Sequence, residues 1–278
     1  MKRCKLFFAA ACLLAGWISL SAAGPQRNAV VPLESAHAHN DYWHDRPLWD
    51  ALEQGFCSVE ADIFLVDGAL LVGHDRSELK TDRTLESLYL RPLRERVEQN
   101  DGRVHAGGPH FTLMIDIKTA GEETYRALAR ILSQYGDILT SVTDGREKPG
   151  AVRVIVSGNR AFEVIAADSP RYAGIDGRLS DLDSDLPAHL LPLISDNWRL
   201  HFRWQGDGEM PEAERTRLRS IIQQARDRGR RVRFWATPEN ENLWKELHAA
   251  GVDLLNTDDL PRLARFLRSR QSDANAAP

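Results

Sequence analysis

Cysteine is scarce: the 278-residue chain has three, and Cys4 and Cys12 fall within its first dozen residues. Beyond them only Cys57 remains. One thiol cannot close an intramolecular disulfide, and a lone cysteine is expected to be buried as a small apolar side chain at the start of a strand. Long apolar runs are also lacking. The run Leu6–Leu20 is too short to span a bilayer comfortably, follows Lys2, Arg3 and Lys5, and ends in Ser21-Ala22-Ala23 before Gly24. That order of features is expected to be a cleaved signal peptide over residues 1–23, giving a secreted or periplasmic protein with no membrane span after processing. Positive charge is short as well: the formal net charge of −4 becomes −7 once residues 1–23, with three cations and no anions, are removed. An acidic chain of this kind excludes a broad nucleic-acid or anionic-lipid surface, which needs clustered Lys and Arg. The basic stretch Arg226 to Arg233 sits where a helix should end and a strand begin, and is expected to be a solvated helix end. No internal repeat divides the chain.

What is present is alternation. Short β-rich runs and longer amphipathic segments follow one another from Leu33 onward, the pattern of parallel strands joined by crossover helices. Eight runs are expected as strands: Leu33–His39, Ser58–Phe64, Phe111–Lys118, Val152–Ser157, Tyr172–Asp176, Leu191–Ser195, Val232–Ala236 and Val252–Asn256. Several are nearly continuous in Val, Ile, Leu and Phe, as strands covered on both faces should be. Helices are expected over Glu122–Tyr135, with Thr124, Leu128 and Ile131 on one face, and over Pro211–Arg228, Glu239–Ala250 and Leu260–Arg268. The fold class is therefore α/β, a single (β/α)8 TIM-type barrel over residues 24–268, with a disordered polar tail over 269–278. Two stretches break the rhythm. Gly68–Asp75 reads as a short strand after a turn at Asp67-Gly68, and Arg76–Gly108 as a long insertion beside the barrel mouth that shapes a binding site or lid.

The chemistry is concentrated at the strand ends. In Ser58-Val59-Glu60-Ala61-Asp62 two carboxylates two residues apart share a face, and in Met114-Ile115-Asp116-Ile117-Lys118 so do Asp116 and Lys118. Acids crowded in a low-dielectric interior repel each other unless a cation neutralises them. Oxygen ligands from Glu60, Asp62 and Asp116 suit one Mg²⁺ or Ca²⁺ ion, whereas zinc would call for clustered Cys and His. His37 and His39 lie in Ala36-His37-Ala38-His39-Asn40-Asp41-Tyr42, and His74-Asp75 follows Leu70-Leu71-Val72. Histidine serves acid–base work near neutral pH.

The array of histidine, Glu60-x-Asp62, His74-Asp75, Asp116-x-Lys118 and Trp235-Ala236-Thr237 resembles the superfamily of glycerophosphodiester phosphodiesterases and phosphatidylinositol-specific phospholipase C. The stretches from His37 to Tyr42, Val59 to Asp62 and Gly73 to Asp75 most resemble a branch that includes fungal mitochondrial-inheritance proteins. The likeness runs from about Ser35 to Phe266. It implies divalent-metal carboxylates at Glu60, Asp62 and Asp116, a second catalytic histidine at His74 and a lysine near the phosphate at Lys118. It further implies an aromatic at the pocket mouth at Trp235, and a last strand and turn in the segment holding Asn256. The first catalytic histidine is placed at His37, whose spacing to Asn40 fits relatives, with His39 as the other candidate. His39, Asn40, Asp75, Trp235 and Asn256 are expected to bind substrate. A departure counts against simple glycerophosphodiesters: where those enzymes carry His-Arg-Gly, this chain has His37-Ala38-His39 and no arginine.

The expected function is thus a metal-dependent phosphodiesterase, a hydrolase or lyase working by His/His acid–base catalysis on a small glycerophosphodiester- or lysolipid-like substrate, as a monomer. Two alternatives stand beside it. An amidohydrolase-type metallohydrolase would use His37-Ala38-His39 as zinc ligands but wants further histidines on strands five and six. A non-catalytic barrel binding module would be expected to have lost some of the charged strand ends.

Overall fold

The computed structural model describes residues 30–276, so the expected signal segment lies outside the described residues. Eleven strands occur in chain order: β1 (Leu33–Ala38), β2 (Phe56–Val66), β3 (Ala69–Val72), β4 (Phe111–Ile117), β5 (Ser141–Thr143), β6 (Arg146–Lys148), β7 (Val152–Gly158), β8 (Ala173–Gly177), β9 (Leu193–Asn197), β10 (Arg231–Trp235) and β11 (Leu255–Thr257). Eight are parallel neighbours in the order β10-β9-β8-β7-β4-β2-β1-β11. The two ends of that order meet, since Arg233 bridges Leu254 and the Val232 carbonyl accepts from the Asp253 and Leu254 amides at 3.1 and 3.2 Å. The sheet is therefore a nearly closed eight-stranded barrel. All eight expected strands are found, with no end shifted by more than three residues. Asp67-Gly68 turns β2 into β3, which pairs antiparallel with it.

Side-chain alternation sorts each strand into an outer and an inner row. The outer rows, with Val59, Ala61 and Ile63 of β2 and Leu113, Ile115 and Ile117 of β4, join the helices in the main core. The inner rows hold a small separate cluster, Met114, Ile155, Leu193 and Leu254. One pleat nearer the carboxyl ends the inner row becomes polar, with Asp62, Asp116 and Ser157 in register across β2, β4 and β7. A few apolar side chains thus plug the barrel, and the charged groups stand above the plug.

The helices are α1 (Trp49–Glu53), α2 (Arg91–Gln99), α3 (Gly121–Leu132), α4 (Phe162–Ala167), α5 (Trp198–His201), α6 (Glu212–Asp227), α7 (Glu241–Ala250) and α8 (Leu260–Ala276). In α3 Thr124 and Leu128 are buried and Ile131 is half-buried, as its spacing predicts. The side chain of Asn240 accepts from the amides of Asn242 and Leu243 to start α7, and Gly251, at φ 86°, closes it in a left-handed turn. No helix among the described residues is long and apolar enough to cross a membrane.

Three expectations need correction. The Arg76–Gly108 stretch is mostly the crossover from the β2–β3 hairpin to β4: a π-helical turn, Glu86–Leu90, runs into α2 and buries Tyr89, Leu90, Leu93 and Val97 against the barrel. The polar tail is helical through Ala276, because nothing from Ser269 to Ala276 is Gly or Pro and the helix begun at Leu260 simply continues. The basic stretch is only partly solvated: Arg226 is exposed and Arg228 half-buried, but Arg230 and Arg233 are buried, with the Arg230 guanidinium donating to the Asp181, Ser184 and Leu186 carbonyls. Cys57 behaves as expected. It is buried in β2, and burial pushes its thiol up to about 12.

Candidate active site

At the carboxyl ends of β2 and β4, oxygens of Glu60, Asp62 and Asp116 all lie within 4.8 Å of one another. The pleat puts them there, since Glu60 and Asp62 alternate with outward Val59, Ala61 and Ile63, and Asp116 is the register partner of Asp62. Lys118 reaches both aspartates, at 2.9 Å to Asp62 Oδ2 and 3.2 Å to Asp116 Oδ1. Burial raises the Asp62 carboxyl, and the Glu60 charge adds to it against the pull of Lys118. Burial likewise raises Asp116, to about 6, with Lys118 opposing and Asp62 and Glu60 adding. Asp62 Oδ1 is buried without a hydrogen-bond partner among the described residues. An oxygen-only donor set with one orphaned lone-pair face fits a hard divalent cation, so these three carboxylates are placed to hold one.

Glu60 differs from the two aspartates because a cation from the protein already faces it. Arg233 of β10 crosses the barrel to put Nη2 2.5 Å from Glu60 Oε2, with Nε 2.8 Å from Asn256 Oδ1 and Nη1 3.0 Å from the Met114 sulfur. Burial works to raise the Glu60 carboxyl, but the Arg233 charge and the His37 hydrogen bond outweigh it and hold the group well below the usual carboxylate range. Arg233 was missed in the sequence because it lies in a run of arginines. Its one distinguishing signal is parity: it shares the inward row of its strand with Trp235.

The histidines divide into two environments. His37 is fully buried, with Nδ1 2.7 Å from Ser58 Oγ and Nε2 3.1 Å from Glu60 Oε2. Burial and then the Arg233 charge bring it down to about 3, so it is neutral near pH 7 and has both ring nitrogens occupied. His39 and His74 stand at the mouth, with side chains 28% and 45% exposed. His39 Nδ1 is 2.8 Å from Asp258 Oδ1, and Asn40 Nδ2 lies 3.3 Å from the same oxygen. His74 Nδ1 is 3.0 Å from Asp62 Oδ2. Tyr42 ties the two sides together: its Oη lies 2.7 Å from Asp62 Oδ2 and from Asn40 Oδ1, and 3.2 Å from His74 Nδ1. Glu78 accepts from the His74 amide at 2.7 Å and the Trp43 indole at 3.3 Å, and the Trp43 ring stands 5.4 Å from that of His74.

The remaining predicted residues are placed as follows. Trp235 is half-buried at the end of β10, inside the mouth. Asn256 is buried and spends its carbonyl oxygen on Arg233, and Asp75 is exposed on the turn after His74. On the far wall the sequence reading missed Asp176 of β8, whose Oδ2 lies 2.7 Å from Ser157 Oγ, 2.7 Å from Ser195 Oγ and 2.8 Å from Arg178 Nη1. It ends the expected strand Tyr172–Asp176, but no motif marked it as functional, since single serines on two neighbouring strands carry none.

Comparison with known proteins agrees with this fold. Residues 26–175 match the family model described as AIM6-like phosphodiesterase domain, and residues 231–261 match the glycerophosphoryl diester phosphodiesterase family. The altered inheritance of mitochondria protein 6 homolog of Arthroderma benhamiae is 32% identical over 262 residues, covering 83% of this chain and 82% of the relative. The altered inheritance of mitochondria protein 6 of Eremothecium gossypii is 32% identical over 273 residues, covering 85% and 70%. Among solved structures, a glycerophosphodiester phosphodiesterase from Parabacteroides distasonis superposes with a TM-score of 0.54 at 16% identity, covering 85% of this chain and 98% of the other. One from Agrobacterium tumefaciens gives 0.52 at 18%, covering 85% and 100%. At such identities the likeness bears on the fold alone.

Proposed function

The chain belongs to the AIM6-like phosphodiesterase family, and from that premise we propose that it cleaves a phosphodiester bond at the barrel mouth with Glu60, Asp62 and Asp116 holding one Mg²⁺ or Ca²⁺ ion. The observation that carries this reading is the carboxylate cluster itself: oxygens of three side chains within 4.8 Å of one another, with Asp62 Oδ1 unpartnered among the described residues, opening beside two half-exposed histidines. A divalent ion held there would neutralise phosphoryl oxygens as negative charge develops on them. Lys118, anchored between Asp62 and Asp116, adds a fixed cation beside the same group.

Proton exchange falls to His39 and His74. Each has its Nδ1 on a carboxylate, Asp258 and Asp62, which orients the ring and leaves Nε2 for the nucleophile or the leaving oxygen. His37, expected as the first acid–base histidine, is better suited to positioning, because it is enclosed and holds Glu60 in line with Arg233. Trp43 and Trp235 line the rim where the alcohol part of a substrate would lie. The acidic balance and the character of residues 1–23 support a monomeric secreted or periplasmic enzyme acting on soluble diesters or zwitterionic lysolipids.

The amidohydrolase alternative is less well supported, since the one group of potential metal ligands among the described residues contains no histidine. The deciding experiment is phosphorus NMR of products from glycerophosphocholine, glycerophosphoinositol, lysophospholipids, sphingomyelin and phosphatidylinositol, with added Mg²⁺ or Ca²⁺. Turnover of at least one diester that disappears in Asp62→Asn is expected. No turnover of any, or activity that survives in Asp62→Asn, would refute the assignment.

A further inference from the structure

Across the mouth from the three carboxylates stand two arginines that the chemistry above does not use. Arg160 follows the end of β7 and Arg178 the end of β8, the strands one and two places beyond β4. Neighbouring strands are about 4.8 Å apart, so Arg178 lies roughly 10 Å from Asp116 across the same opening. Both guanidinium groups converge on Asp176. Arg178 Nη1 lies 2.8 Å from Asp176 Oδ2 and 3.0 Å from the Gly177 carbonyl, and Arg160 Nη1 donates to the Asp176 carbonyl.

The guanidinium donors at this spot outnumber their partners, although Arg178 is ion-paired with Asp176. Asp176 Oδ2 already accepts from Ser157 and Ser195, and Arg160 forms no ion pair among the described residues. Nε and Nη2 of both arginines lack hydrogen-bond partners among the described residues. Burial and then the nearby Arg178 charge hold the Arg160 guanidinium below its usual range, although Asp176, Asp181 and Asp116 draw it the other way. Two half-buried like charges with donor atoms to spare are stabilised by an anion, and the planar fork of arginine matches a phosphate or carboxylate.

We propose that Arg160 and Arg178 form a subsite for a second phosphate-class anion, carried on the leaving alcohol of the diester. This rests on the phosphodiesterase reading, with the scissile phosphate at Asp62, Asp116 and Lys118 and a polyol spanning to the arginines. A carboxylate could occupy the same fork, but a monoester-type phosphate offers three acceptor oxygens and more charge to the unused Nε and Nη2 donors of the two arginines.

A matched pair of substrates tests it: glycerophosphoinositol 4-phosphate against glycerophosphoinositol, which differ by that one phosphate. The wild type is expected to favour the phosphorylated diester by about tenfold or more in kcat/KM, the scale of one charge-assisted contact. In Arg160→Gln and Arg178→Gln that ratio collapses, mainly through KM, while Arg160→Lys keeps part of it. Equal use of both diesters by the wild type, or a ratio that persists in both Gln variants, overturns the subsite. Calorimetric titration with inorganic phosphate in EDTA reads the subsite without turnover. Binding weakened about tenfold in each Gln variant supports it, and no binding by the wild type at millimolar phosphate overturns it. Absence of turnover on these two diesters and on every other diester named above, with phosphate binding intact, would sink the phosphodiesterase reading and leave the anion site standing.

Discussion

Arg233 Nη2 lies 2.5 Å from Glu60 Oε2 in the centre of the barrel, and both side chains are almost wholly buried. The crowding of acids on β2 is therefore partly relieved by the protein itself. Removing Glu60 should not stabilise the metal-free fold, as simple carboxylate repulsion would suggest, because it strands a buried guanidinium. Glu60→Ala and Arg233→Met are each expected to cost about 3–5 kcal/mol in urea denaturation, and the double variant clearly less than the sum. Additive losses would show that the two groups are not coupled.

The two half-exposed histidines should dominate the kinetics. His39→Asn and His74→Asn are expected to lower kcat by about 10²-fold or more, the usual loss for a positioned acid or base. His37→Asn should act by disturbing Glu60, with a smaller fall in kcat and an unchanged number of ionisations in the pH–rate profile. A larger loss at His37 than at His39 would return the catalytic role to the enclosed ring.

Asp41 gives a pH signature of stability separate from the metal cluster. It is fully buried, Oδ2 accepts from the Leu48 amide at 2.6 Å and the Tyr89 hydroxyl at 3.0 Å, and Oδ1 has no partner among the described residues. Burial raises it from 3.8 to about 7, against the pull of those two donors. A carboxyl raised on folding holds its proton longer in the native state. Its contribution is fully present below about pH 4 and is lost as pH rises through 7, on the order of 4 kcal/mol in all. Asp41→Asn keeps an acceptor and cannot ionise, so the stability of the wild type relative to this variant should fall between pH 4 and 8. A flat difference across that range would show that Asp41 does not titrate as described.

Much of this was legible in the sequence because strand ends announce themselves. Glu60-x-Asp62 and Asp116-x-Lys118 interrupt apolar runs at period two, which fixes both the face and the end of the strand on which they sit. The histidine choice was not legible: His37 and His39 share parity, and only depth decides which meets solvent. Nor were Arg233 and Asp176. Arg233 is one of several arginines in its run and its partner Glu60 lies 173 residues away, while Asp176 is a single charge on its strand whose partners are single serines on either side. The crossover was misread for a related reason. The apolar face of Tyr89, Leu90, Leu93 and Val97 is interrupted by Arg91, Pro92 and Arg94, and the polar residues masked the helix.

The metal assignment can be tested through stability alone. Asp116 is crowded by Asp62 and Glu60, and Lys118 keeps Asp62 as a partner if Asp116 is neutralised. Metal-free Asp116→Asn is therefore expected to be at least as stable as the wild type near pH 8. Saturating Mg²⁺ or Ca²⁺ stabilises a protein that binds it only when folded, by about 2.7 kcal/mol at one hundred times Kd. The wild type should show a rise in Tm of that origin, reversed by EDTA, and the variant should show little. The ion giving the larger rise at equal concentration is the better occupant, Mg²⁺ demanding near-octahedral geometry and Ca²⁺ accepting more oxygens. An equal rise in wild type and Asp116→Asn would mean that the ion binds elsewhere, and the three carboxylates would then have to be explained by Lys118 and Arg233 alone.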